Sequence, residues 1–211
     1  EELSGDIFDN TQTVIYGPSG TGKTSILKAG IFKRAREERF FPIYIRLNHE
    51  TEESYAQQIL NEIQEKAKNE NIEIERRIDY INGQCCSLWE FFHCNVFWNA
   101  DNYPVTPLFV IDQFEELFTI SKNSCNISDF FEQLSDLCDD KYPLYIKEHL
   151  AIQDTNRIQY PEKVNYRIVI SLREDFLARL EEYANFIPAL KRNRYSLQAI
   201  NEEQAMDIIL K

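Results

Sequence analysis

The chemistry-bearing residues of this chain begin with the run Gly17-Pro18-Ser19-Gly20-Thr21-Gly22-Lys23-Thr24, a complete G-x-x-x-x-G-K-[ST] pattern. Glycines at these places let the backbone wrap closely around phosphate oxygens, with successive N–H groups pointing inward as an anion-binding nest. Lys23 then reaches the β- and γ-phosphates, and the hydroxyl of Thr24 is placed to ligate Mg²⁺. Ser25 opens the helix that follows, and the helix N-terminus adds partial positive charge at the same spot. The pattern implies a bound nucleoside triphosphate.

A second group lies in Asp112-Gln113-Phe114-Glu115-Glu116, directly after the apolar run Leu108-Phe109-Val110-Ile111. An aspartate that ends a buried strand downstream of a phosphate loop is the expected second anchor for Mg²⁺, held directly or through one water. Hydrolysis also needs a carboxylate that orients the attacking water. The position after Asp112 is Gln113, whose amide cannot act as a base, so Glu115 and Glu116 are the available groups. The sequence leaves open which of them serves. Arg173, in Ser171-Leu172-Arg173-Glu174-Asp175, completes the set. A guanidinium there can sense or stabilise charge on the γ-phosphate; the alternative is a salt bridge to Glu174, Asp175 or a carboxylate after the Leu108–Ile111 run.

These groups need a scaffold of alternating strands and helices, with a parallel sheet covered on both faces. Thr13-Val14-Ile15-Tyr16 enters the glycine run as a first strand, and the helix after it carries Ile26, Leu27, Gly30 and Ile31 on a packing face. Phe41 to Leu47 reads as a second strand. Ser54-Tyr55-Ala56-Gln57 has the form of a capping box, and its helix runs to about Lys68. The polar stretch from Asn69 to Gly83 reads as partly helical. Ser87-Leu88-Trp89-Glu90 is a second capping box, opening an aromatic-rich helix to about Trp98. Strands follow at Leu108–Ile111, 167–171 and 194–197, with helices over 128–137 and 174–183. Residues 139–165 read as an insertion with a loop, and Asn201 caps a last helix.

The bulk properties narrow the classes. At 211 residues, with 43% hydrophobic and 13% aromatic residues, one substantial core is expected, and a single domain over residues 1–211 is the default. The formal net charge of −12 is the wrong sign for a phosphate-backbone footprint, so direct nucleic-acid binding is not expected. No apolar run approaches the ~18 residues that span a bilayer, so no membrane partner is expected. The five cysteines lack paired C-x-x-C spacing, and free thiols of this kind fit a reducing cytoplasm. His93 beside Cys94 invites a zinc reading, but adjacent Cys85 and Cys86 do not readily face one ion. The chain opens on Glu1-Glu2 and stops inside a helical pattern, which suggests a domain excised from a longer protein.

With these residues in place, the sequence resembles STAND-type signalling NTPases, a branch of the AAA+-related P-loop ATPases. The matching blocks are Gly17 to Gly30, Phe41 to Leu47, Val110-Ile111-Asp112-Gln113-Phe114-Glu115-Glu116-Leu117-Phe118, and Ser171 to Leu177. The D-Q-F-E-E run is similar to that of the bacterial novel STAND subset. The resemblance implies a P-loop NTPase three-layer sandwich, α/β, with a mainly parallel five-stranded sheet in the order 5-1-4-3-2. It also implies an ATP-operated switch: an effector or protease-like domain before this unit, a winged-helix lid and a repeat sensor after it. In such a switch ADP holds the closed state, ATP exchange permits self-oligomerisation, and hydrolysis resets the signal. Bacterial members include antiviral sensors. The other readings are an AAA+-like motor or loader, which would favour Glu at the position of Gln113, and a catalytically silent ATP-binding scaffold. A GTPase would need an N-K-x-D guanine reader, and the sequence has none.

Overall fold

Side chains alternate across a strand, and in this chain that alternation sorts two cores onto the two faces of one sheet. The computed structural model describes residues 2–119, 124–152, 160, 166–183 and 187–198. In chain order the elements are α1 (Glu2–Asp9), β1 (Gln12–Gly17), α2 (Lys23–Ser25), a π-helical segment (Ile26–Ile31), α3 (Phe32–Glu37) and β2 (Phe40–Ile45). Next come α4 (Tyr55–Asn69), β3 (Glu73–Arg76), α5 (Leu88–Cys94), β4 (Asn95–Trp98), β5 (Pro104–Ile111), α6 (Glu116–Thr119) and α7 (Ser124–Cys138). The last are α8 (Leu144–Ile152), β6 (Arg167–Arg173), a 3₁₀ turn (Glu174–Phe176), α9 (Leu177–Tyr183), a second 3₁₀ turn (Pro188–Lys191) and β7 (Arg194–Ser196).

Five strands pair in parallel in the order β7-β1-β6-β5-β2. That is the expected order 5-1-4-3-2. The sheet nevertheless has seven strands, because β3 and β4 pair antiparallel and attach to the N-terminal end of β5. Two expectations therefore need correction. The stretch from Asn69 to Gly83 holds a strand, not a helix, and the helix opened by Ser87 ends at Cys94 rather than near Trp98. Ile74 faces Phe97 across this pair, and Phe97 is buried against the aromatic core, so tertiary packing sets the local state. Residues 139–165 include the helix α8. The expected helix from Asn201 lies outside the described residues.

One face of the sheet carries Ile15, Leu108, Val110 and Val169, buried with Leu27 and Ile31 beneath the helix that leaves the phosphate loop. The other carries Val14, Phe109, Ile111, Ile168, Ile170 and Leu172 against α4, α5, α7 and α9. This is the three-layer α/β sandwich. Gly30, expected on the packing face of the helix, is exposed, because Leu27 and Ile31 alone bury that side.

Both capping boxes close by half. The hydroxyl of Ser54 accepts from the Gln57 N–H at 3.2 Å, but the Gln57 amide goes to Asn61. The hydroxyl of Ser87 accepts from the Glu90 N–H at 3.1 Å, while the buried Glu90 carboxylate accepts from the N–H groups of Ile81 and Cys86 and from Tyr145. Glu90 thus ties the segment before α5 to α5 and α8, where a bond back to Ser87 would have been purely local. His93 is engaged at both ring nitrogens, with Trp89 O at 2.7 Å and Asp140 Oδ1 at 3.0 Å, and Cys85 donates to Ser87 O.

Candidate functional site

Alternation also decides which side chains reach the phosphate loop. On β5, Leu108 and Val110 face the loop's helix, so Asp112, two residues on, points the same way. On β6, Val169 lies on that face, and Ser171 and Arg173 follow it. On β2, Tyr44 is registered beside Val110 and shares its face. The chain then turns at Gln113, whose φ of 56° lies in the left-handed region that side-chain-bearing residues rarely adopt. The turn sends Phe114 into the core, at 1% exposure, and its N–H donates to Ser171 O at 3.0 Å. Glu115 and Glu116 come back toward the loop at the start of α6.

The loop itself is built on backbone conformation. Gly20 and Gly22 have φ values of 81° and 80°, where a side chain would cost roughly 1–2 kcal/mol each. The Thr21 hydroxyl donates to Pro18 O at 2.9 Å. Lys23 folds back over the loop, donating to Gly17 O at 2.9 Å and Pro18 O at 2.8 Å. Gly17 and Pro18 thus serve as carbonyl props for the lysine, while residues 19–25 line the cleft.

The cleft has a volume of about 620 Å³ and also receives Asp112, Gln113, Glu115, Glu116 and Arg173. Asp112 is buried, at 3% exposure. Its Oδ2 accepts from the Thr24 hydroxyl at 2.5 Å and from the Tyr44 phenol at 2.9 Å. Burial and, after it, the bond to Asp112 push the Tyr44 phenol up to about 12. The residues fit a divalent cation bound to phosphates: a buried carboxylate meets a hydroxyl next to a nest of backbone donors.

The two glutamates are held differently. Glu115 Oε2 accepts from the backbone N–H of Arg173 at 3.2 Å, which ties the acidic turn to the end of β6. Glu116 Oε1 accepts from Arg46 at 2.6 Å, and its Oε2 lies 3.7 Å from His49 Nε2. The carboxylate raises the Arg46 guanidinium, whereas burial lowers His49 more than Glu116 raises it. The Arg46 side chain is 56% exposed, so that bridge is worth no more than about 1 kcal/mol and is easily exchanged. Arg173 bridges to Asp175 and lies over the Phe176 ring at 5.7 Å, leaving its Nε buried without a hydrogen-bond partner.

Residues 19–25, Asp112, Glu115, Glu116 and Arg173 therefore meet at one cleft, while Gly17 and Pro18 stand outside its lining and hold Lys23. Tyr44, Arg46, Ser171 and Phe176 were not foreseen. Tyr44 carried one signal, a phenol in an otherwise apolar strand. Arg46 and Phe176 carried none, because their roles depend on strand register and on a 3₁₀ turn.

The family model for novel STAND NTPase 1 matches residues 1–211. The chain belongs to the novel STAND NTPase family. No curated protein matches it. Among solved structures it is similar to the Aeropyrum pernix ORC2 protein, described in its ADPNP–ADP complexes, with a TM-score of 0.53 and 13% sequence identity. That match covers 99% of this chain and 49% of the other, so the chain spans about half of that protein's length. At this identity the likeness speaks for the fold alone.

Proposed function

We propose that this novel STAND domain binds ATP and ADP with Mg²⁺ and hydrolyses ATP slowly, as the switch unit of a longer signalling protein. The observation that carries the reading is the meeting of Thr24 and Asp112 at 2.5 Å beside the left-handed glycines and Lys23. Lys23 exchanges its two carbonyl partners for phosphate oxygens, and the loop N–H groups bind the remaining ones. Thr24 and Asp112 hold the cation. Bound there, Mg²⁺ supplies neutralising charge to the phosphate oxygens. Glu115 or Glu116 orients the attacking water and takes its proton. Arg173 leaves Asp175 to report whether the γ-phosphate is present.

The family resemblance supports the wider reading: a cytoplasmic signal-transduction switch of a bacterial defence or stress sensor, self-oligomerising through the full-length protein. Direct nucleic-acid contact is not part of it, given the net charge of −12. Among the described residues no helix is long and apolar enough to cross a membrane. A silent ATP-binding scaffold is the second reading, favoured by one observation: an amide, Gln113, follows Asp112, and both nearby glutamates already have partners.

Calorimetric titration with ATP, with and without Mg²⁺, tests the binding assignment. Lys23→Ala is expected to weaken affinity by about 100-fold, the loss of charge-assisted bonds. Asp112→Ala is expected to keep metal-free binding and lose the Mg²⁺ effect. Undiminished affinity in Lys23→Ala would remove the lysine from the site.

A further inference from the structure

We propose that Tyr44 is a positioning residue for the divalent cation, an inference that rests on reading Thr24 and Asp112 as its ligands. Its phenol donates to Asp112 Oδ2 at 2.9 Å, and the Thr24 hydroxyl donates to the same oxygen at 2.5 Å. Two donors converging on one oxygen from two elements, β2 and α2, fix the carboxylate's rotation as well as its place. A hydroxyl has one proton and two lone pairs. With its proton committed to Asp112, Thr24 keeps its lone pairs for a cation. The Tyr44 bond makes that commitment stable, because it holds Oδ2 in the direction from which Thr24 donates.

The phenol is itself held in place. Tyr44 sits in β2 opposite Val110. The ammonium of Lys28 lies 3.5 Å from its ring centroid, an attractive cation–π contact. Lys28 belongs to the π-helical segment Ile26–Ile31, and π turns recur near functional sites. The loop's helix therefore reaches Asp112 twice, through Thr24 directly and through Lys28 by way of Tyr44. Because Asp112 is 3% exposed, water is poorly placed to replace a lost phenol donor.

The test uses Tyr44→Phe, which removes the hydroxyl and keeps the ring under Lys28. Three quantities are read: Mn²⁺ affinity of the ADP complex by paramagnetic resonance of free Mn²⁺, ADP affinity in EDTA, and the melting temperature. The expected result is a roughly three- to tenfold loss of Mn²⁺ affinity, with ADP affinity in EDTA unchanged. Undiminished Mn²⁺ affinity beside normal Mn²⁺ uptake by the wild-type protein overturns this inference alone. A parallel loss of metal-free ADP affinity also overturns it, since that marks a general structural role. A wild-type ADP complex that takes up no Mn²⁺ overturns the parent reading together with this one.

Discussion

A methyl group added at residue 17 would lie 2.2 Å from the carbonyl oxygen of Leu197, and Leu197 donates its N–H to Tyr16 O at 2.7 Å. Neither partner can step aside cheaply, because both are backbone. Gly17 thus seats the start of the phosphate loop against the strand-end next to it, and its carbonyl receives Lys23. Gly17→Ala is expected to lower the melting temperature by at least about 2–4 °C, as a loss above 1 kcal/mol does in a domain of this size, and to weaken nucleotide affinity in parallel. Thermal melts and an ATP titration check both; a variant with native stability and affinity would refute the close-packing account. The residues proposed to bind phosphate were legible in the sequence because each proposed role needs a specific residue type: glycine for left-handed backbone, lysine for charge, a short hydroxyl for the metal. Arg46 was not legible, because an exposed arginine after a strand has no type-specific mark until register sets it beside Glu116.

At the scale of elements, period-two alternation along β5 predicts where Asp112 points, and the left-handed turn at Gln113 explains why Phe114 is in the core while the glutamates return to the cleft. Four of the five parallel strands could be read from largely apolar runs, whereas β7, Arg194-Tyr195-Ser196, is short and mostly polar. β3 and β4 could not: Glu73–Arg76 is mostly charged, and Val96-Phe97-Trp98 continues a helical aromatic pattern without a break. Their pairing comes from Phe97 entering the core. On α7, burial and, after it, Glu132 push the Asp136 carboxyl from 3.8 up to about 6. Between those values the folded state holds more protons than the unfolded one. Stability therefore falls as pH rises through that window, and the loss persists above it. Asp136→Asn is expected to raise the melting temperature at pH 7 by about 2–4 °C and to change it little at pH 3.5. Equal shifts at both pH values would contradict the buried-carboxyl explanation.

Across the described residues, one sheet separates two cores, and the proposed nucleotide cleft opens where β1, β5 and β6 end on the face of the smaller one. Ligands of open α/β sheets sit at such strand ends. The glutamates connect this cleft to the larger core: Glu115 through the end of β6, and Glu116 through Arg46 and His49 toward α4. In the proposed switch, a change at the γ-phosphate would reach both places through these carboxylates. Single-turnover ATP hydrolysis in Mg²⁺, for the wild-type chain beside Glu115→Gln and Glu116→Gln, tests this most directly. Tight binding and slow turnover are expected, with one of the two substitutions abolishing turnover while affinity persists. Binding with no turnover in the wild-type chain, or turnover that survives both substitutions together, would contradict it.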